Sequence, residues 1–228
     1  MKKTKSVVIN IIITFAVLLF AVLFLVTGSL VSKAAASVCF IALGIINCIA
    51  EKNRLTEYKT FSVLLIYGLF MAMLGDIFIN HIVVVGAALF AVGHILFLAA
   101  QHHLCPKEKR KPVRDIICGL GLFAVNMSVL TFAPLRYTSD SMRVLCLVYT
   151  VIISLMTGKA ISNYIGSGST IFRLMLIGTV LFMLSDLFLL LYCFMGNSDV
   201  IHYISIILYY ASEIILADSF IILARKKQ

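Results

Sequence analysis

Tryptophan is absent from the sequence, and proline accounts for only three of its 228 residues. Charge is also scarce, because 13% of the residues are charged and only 10 residues are acidic. Soluble domains carry roughly 25% charged residues, so this composition excludes a soluble globular class. The six cysteines include no CxxC pair, and we interpret them as apolar filler rather than as a disulfide framework.

Apolar residues make up 62% of the chain and are gathered into eight long runs. Most runs reach the roughly 20 residues that a hydrocarbon core requires. They predict an all-α fold, a polytopic membrane protein with eight transmembrane helices in a single domain over residues 1–228. The first run is longer than the apolar part of a signal peptide, so we expect it to remain as a helix. The predicted helices are Val7–Val26, Ala34–Ala50, Thr60–Ile79, Ile82–Gln101, Asp115–Ala133, Met142–Met156, Thr170–Leu191 and Ile201–Leu223.

Lysine and arginine are distributed unequally between the two sides of this topology. The segments on the side of both termini hold 16 of them, and those on the other side hold 3. Basic residues concentrate on the cytoplasmic side of membrane proteins. We therefore expect a cell-membrane protein with both termini in the cytoplasm. The net charge of +9 is then an orientation signal rather than the mark of a nucleic-acid partner.

Two stretches of the chain resemble each other, one in the third predicted helix and one in the seventh. GLFMAMLGDIF (68–78) and GTVLFMLSDLF (178–188) align without a gap and are identical at five positions, including Asp76 and Asp186. Each aspartate lies 16 residues into its predicted helix. At 1.5 Å per residue, both are roughly 24 Å from the cytoplasmic end. The duplication therefore predicts two acids at one depth in the membrane.

The duplication also predicts the architecture: two four-helix repeats of parallel topology, residues 1–105 and 106–228. It extends weakly into the fourth helix of each half, where GHILFLAAQ corresponds to SEIILADS and His94 stands opposite Glu213. We expect Glu213 either to take part in a site or to be a packing partner of His94.

An ionised carboxylate is costly inside a membrane, so Asp76 and Asp186 suggest a function. Two neighbouring acids can divide the work, one neutral and donating a proton, the other ionised and acting as a base. The alternative is that each acid bonds a polar neighbour and stabilises the helix bundle. Candidate neighbours for that role are Asn126, Ser128, Thr150 and Ser154.

Five further polar residues are candidates for binding a substrate. His94 and Gln101 share a face of the fourth helix, and Glu213 lies one turn from Tyr209 in the eighth. Lys33 opens the second helix near the level of the aspartates, where it can hold an anionic head group or extend to the membrane interface. A single histidine on an apolar face is more often a packing residue, and that interpretation stays open for His94.

Other kinds of chemistry have little support in the sequence. His102, His103 and Cys105 lie together without a second spaced pair, so we predict no metal. No cofactor is expected. The chain has no GxSxG motif, which disfavours a serine hydrolase of the α/β type.

At these residues the sequence resembles the YhhN-like lysoplasmalogenase family. The resemblance rests on GDIF in the third helix, FAVGHILFLAAQ in the fourth, MLSDLFLL in the seventh and YYASEIILADS in the eighth. A lysine opening the second helix also fits, although the family usually has Lys-Pro where this chain has Lys33-Ala34. Gln101 and Glu213 depart from the family, which tends to have histidine and glutamine there.

The resemblance implies an integral membrane hydrolase whose substrate is a lysophospholipid drawn from the bilayer. Such an enzyme cleaves the vinyl-ether bond of a lysoplasmalogen to a fatty aldehyde and a glycerophospho-alcohol, and Asp76 and Asp186 carry over as its catalytic pair. Two other interpretations of the residues stay open: a small proton- or cation-coupled transporter that uses the same acids, and a membrane protein in which they only specify packing.

Overall fold

The computed structural model describes residues 2–196 and 198–225, with side chains over 7–196 and 198–224. Eight long helices occupy this part of the chain, which contains no strand, and the all-α prediction is confirmed. All eight are long and apolar enough to cross a membrane. The extreme ends whose cytoplasmic position is predicted, Met1 and residues 226–228, lie outside the described residues. The helices are α1 (Lys2–Thr27), α2 (Leu30–Ala50), α3 (Lys59–Phe78), α4 (Val83–Leu104), α5 (Pro112–Phe132), α6 (Asp140–Ser167), α7 (Thr170–Met195) and α8 (Asp199–Arg225).

Most of the helices are longer than hydropathy predicted, and α2 and α6 show why. Helix α2 begins at Leu30, before the predicted Ala34, because Lys33 is buried inside the bundle rather than placed ahead of the helix. Helix α6 continues past Met156 to Ser167. Its last turns are polar, yet most of their polar side chains are buried and bonded to neighbouring helices, so polarity there does not end the helix. A left-handed Gly168, with φ of +61°, does end it.

The helices pack chiefly as consecutive pairs: α1 with α2, α3 with α4, α5 with α6 and α7 with α8. Helix α8 also packs on α2, and α4 packs on α6, which joins the two halves. Gly68 lets α3 approach α4, since a Cβ there would overlap the Phe97 ring. Gly178 does the same for α7 and α8, since its Cβ would lie 2.9 Å from Leu216. These corresponding contacts agree with the four-helix repeat, which remains a prediction.

Several polar residues are buried in the interior of this bundle. Asp76, His94, Asp186 and Glu213 are all buried, although each lies in a long apolar helix. Aromatic rings of Phe40, Phe90, Phe182 and Tyr209 pack edge to face among them. Apolar side chains cover the outside, as expected where lipid replaces water.

Candidate active site

Asp76, near the end of α3, is held by three side chains from two other helices. The ammonium of Lys33 lies 2.9 Å from Oδ1 of Asp76. The hydroxyls of Ser37 and Tyr210 donate to Oδ2, at 2.5 and 2.9 Å. Lys33 and Ser37 are four residues apart on α2 and therefore share one face. The cation and the two hydroxyl donors around it compensate the negative charge of a carboxylate at this position.

Lys33 is only 3% exposed, so the interpretation that it extends to the membrane interface is wrong. Its ammonium also donates to the main-chain oxygen of Asp76, at 3.1 Å. An ammonium carries three N–H groups, and these two bonds leave one of them for another acceptor.

Asp186, on α7, has a different set of partners. Its Oδ2 lies 2.6 Å from the Tyr149 hydroxyl on α6 and 2.8 Å from Nε2 of His94 on α4. The tyrosine hydroxyl and the histidine Nε2 are also 2.7 Å apart, so three polar atoms form a triangle. Within the described part of the chain, Oδ1 of Asp186 has no hydrogen-bond partner, and no lysine or arginine pairs with this carboxyl group.

The protonation of His94 follows from its other nitrogen. Its Nδ1 is buried without a partner among the described residues. An unpartnered N–H in the core costs more than an unpartnered lone pair, so we assign the hydrogen to Nε2 and a neutral ring. Asp186 therefore lacks the fixed positive charge that Lys33 provides to Asp76.

Both carboxyl groups line one cavity of about 210 Å³. Its lining is mainly apolar but includes the polar side chains of Lys33, Asn80, Tyr192 and His202, which we call the polar wall. A narrower, apolar slot of about 70 Å³ continues from it between α4, α6 and α7. The two spaces share Ile79, Val83, Phe90, Asp186, Leu189 and Cys193. Asp186 thus stands where the polar space meets the apolar one, and Asp76 lies on the polar side.

The predicted substrate-binding residues divide into two groups. Lys33 and Tyr209 line the cavity, and His94 lies behind Asp186. Gln101 does not line the cavity, because its amide donates to the main-chain oxygen of Met156, at 3.3 Å, and ties α4 to α6.

Glu213 is also away from the cavity lining. It is fully buried, and neither of its carboxylate oxygens has a hydrogen-bond partner among the described residues. The expected pairing of Glu213 with His94 is wrong, because His94 bonds Asp186 and Tyr149 instead.

Among the described residues, those proposed as packing partners of the acids form no hydrogen bond with them. Asn126 donates to Ser154, at 3.0 Å, and the hydroxyls of Ser128 and Thr150 bond carbonyl groups of their own helices. The acids are held instead by Ser37, Tyr149 and Tyr210, which the sequence reasoning missed. Only Ser37 had a usable signal, its spacing of one helical turn from Lys33.

His202, near the start of α8, is a further residue that was missed. Its ring stacks on Tyr192, with centroids 4.5 Å apart, and meets Phe24 edge to face. The ammonium of Lys33 lies over the Phe24 ring, 5.5 Å from its centre. His202 therefore adds a second nitrogen ligand to the polar wall of the cavity.

Fold and site together define a polytopic α-helical membrane protein with two buried aspartates on a shared amphipathic cavity. The family model described as the YhhN family matches residues 28–220, which include every residue of this site. The chain belongs to the YhhN family. No curated protein and no solved structure matches it.

Proposed function

We propose that the protein is a membrane hydrolase that cleaves the vinyl-ether bond of lysoplasmalogens, releasing a fatty aldehyde and a glycerophospho-alcohol. One observation carries the proposal: two carboxyl groups in unlike surroundings line a cavity that contains polar side chains and continues into an apolar slot. The family resemblance points to the same reaction. The protein would lie in the cell membrane with both termini cytoplasmic and take its substrate from the bilayer.

The shape of the site suits a lipid with a single chain. The alkenyl chain would occupy the apolar slot, where Leu145, Leu190 and Phe194 are among the lining residues. The glycerophospho group would lie in the polar space. There the third N–H of Lys33 and the His202 ring can bind phosphate oxygens. This arrangement places the vinyl ether between the two spaces, beside Asp186.

Asp186 is the better candidate for the general acid. It has no ion-pair partner other than the neutral His94, so a proton on its Oδ1 is compatible with its surroundings. That proton would pass to the β-carbon of the vinyl ether. The double-bond electrons form the new C–H bond, and the α-carbon becomes an oxocarbenium ion. Tyr149 and His94 then stabilise the carboxylate left on Asp186.

Asp76 would supply the fixed negative charge. Its ionised carboxyl group stabilises the oxocarbenium ion electrostatically and orients the attacking water. Water adds to the α-carbon and gives up a proton to the Asp186 carboxylate, which restores the acid and forms a hemiacetal. The hemiacetal then loses its hydroxyl proton and breaks its C–O bond, while the departing glycerol oxygen takes up a proton. One water is consumed, and the two acids return to their starting states.

The transporter interpretation finds less support. Carriers of this size commonly bind their substrate where membrane helices are interrupted. Here α3 and α7 run continuously through Asp76 and Asp186. Their buried side chains pack at the helix interfaces or line the cavity, and neither helix is unwound at its aspartate.

The test uses two lipids that differ in one double bond. Purified protein is incubated with a lysoplasmalogen and, separately, with its saturated 1-alkyl analogue, and aldehyde release is measured. We expect aldehyde from the first lipid alone, because only a vinyl ether can be protonated to an oxocarbenium ion. The proposal would be refuted if folded protein with both aspartates intact released no aldehyde from either lipid.

A further inference from the structure

A second site lies at the opposite end of the bundle from the aspartates. An open groove of about 430 Å³ runs between α4 and α5, with α6 at its base. Apolar side chains form its deeper part, and polar ones form the end nearest the loop at 105–111. Its lining residues are Ile95, Leu98, Ala99, His102, His103, Asp115, Ile116, Leu155 and Lys159.

The polar end of the groove has an excess of positive charge. Lys159 is 3% exposed, and its ammonium lies 2.6 Å from Oδ2 of Asp115. Ser162 donates to the other oxygen of Asp115, and Arg114 donates to Ser162 at 3.0 Å. The only acidic group that lines the groove is therefore already compensated by its own network.

His102 and His103 stand exposed at the same end. Arg110 is fixed nearby, since its Nε donates to the main-chain oxygen of Cys105 at 3.0 Å. The loop that follows α4 adds Lys107, Lys109 and Lys111. This end is thus suited to an anionic group, and the apolar part below it is suited to an acyl chain.

The other half of the bundle shows what closes such a groove. Helices α1, α2 and α8 there correspond, in the predicted repeat, to α5, α6 and α4. Asn10 on α1 donates to Asp218 on α8, at 2.8 Å, and Asn47 on α2 donates to the same carboxylate at 3.0 Å. These bonds draw α1 against α8, whereas α5 and α4 make no comparable contact.

Helix contacts close the other half of the bundle but not this groove, and basic residues surround the polar end of the groove. We therefore propose that the groove binds an acidic phospholipid of the leaflet on the Lys/Arg-rich side. Its acyl chain lies along Ile95, Leu98 and Ile116, and its phosphate lies at His102 and His103. The lipid takes the place that the asparagine contacts fill in the other half. It also packs on α4 and α6, the helices that carry His94 and Tyr149 to Asp186.

The experiment compares lipid retention by native mass spectrometry of the detergent-purified protein. We expect phosphatidylglycerol to be retained at least about tenfold better than phosphatidylcholine of the same chains, because basic residues at a membrane surface favour anionic lipids. Ala99→Trp fills the groove and should abolish this preference. Val92→Trp, at an exposed position of α4 outside the groove, is the matched control and should retain it.

A second variant keeps the test independent of how well Ala99→Trp folds. The double change His102→Gln and His103→Gln removes the imidazole ligands of the phosphate from exposed positions and should reduce the preference several-fold. Equal retention of the two lipids by the unaltered protein, or an undiminished preference in Ala99→Trp, would overturn the proposal. Inorganic phosphate should not displace the lipid at equal concentration; if it did, the groove would be an anion site rather than a lipid site.

Discussion

The buried ion pair between Lys33 and Asp76 predicts that the two aspartates differ in what they contribute to stability. From the sequence alone, we expect Asp76→Asn and Asp186→Asn both to fold well, because burying an amide costs less desolvation free energy than burying a carboxylate. The structure changes this expectation for Asp76. Replacing it leaves the ammonium of Lys33, itself 3% exposed, without a counter-charge. The new amide also turns an N–H group or a neutral oxygen toward that ammonium.

Removing one partner of a buried pair typically costs about 3–5 kcal/mol. Asp76→Asn keeps the bond from Lys33 to the main-chain oxygen at position 76, which places it nearer the lower value. For a chain of this size, such a loss lowers the melting temperature by on the order of 10 °C. The double variant Lys33→Met with Asp76→Asn should recover most of the loss, because a neutral pair of similar volume replaces a costly ionic one.

Once the accessible thiols, among them the exposed Cys193, have been blocked with a maleimide, thermal unfolding in detergent can be followed with a fluorogenic thiol dye. The buried Cys105 and Cys146 then react only when the bundle opens. Asp186→Asn is the control, since it leaves no lysine unpaired and should melt within a few degrees of the unaltered protein. An Asp76→Asn protein as stable as the unaltered one would refute the ion-pair argument. A double variant no more stable than Asp76→Asn would refute it as well.

Three other predictions concern activity and topology. Asp186→Asn should lower aldehyde release by about 10²–10⁴-fold, the usual effect of losing a positioned proton donor, while lipid binding persists; near-normal turnover would leave Asp186 with a packing role. His202→Gln should raise KM for a lysoplasmalogen but not for a 1-alkenylglycerol without phosphate, and an equal change for both substrates would contradict a phosphate contact. A cysteine introduced at Ser198 should react with an impermeant maleimide from outside the cell and one at Lys107 only from inside, whereas the reverse pattern would invert the topology.

Much of the fold followed from hydropathy because a membrane restricts a chain to a few solutions. Eight helices and both key aspartates were predicted from apolar runs and from one duplicated segment. Helix ends were predicted less well, because hydropathy measures the side chain and not its partner. Lys33 and Lys159 lower the mean hydropathy of α2 and α6. Each is nevertheless buried and pairs with an aspartate of another helix, Lys33 with one on α3 and Lys159 with one on α5.

The partners of the aspartates could not be predicted, and the reason is geometric. Tyr149, Tyr210 and His94 reach the acids from helices distant in sequence, so their identity depends on how helices cross rather than on spacing along the chain. Residues within one helix gave the only local clue, Ser37 one turn after Lys33. The expected pair of His94 with Glu213 followed from the duplication, and it failed because corresponding positions need not face each other.

In the proposed reaction, the two acids of the duplicated segment take different roles. Asp76 receives its partners from α2 and α8, and Asp186 receives its partners from α6 and α4, which are the corresponding helices in the predicted repeat. The partner helices correspond, but their side chains differ. Asp76 pairs with a lysine, whereas Asp186 bonds a neutral histidine and a tyrosine. Two identical surroundings would give both acids the same charge, and neither could then serve as donor while the other serves as base. In the proposed reaction, divergence of the partners, with both aspartates retained, is therefore what lets one acid donate a proton while the other stays ionised.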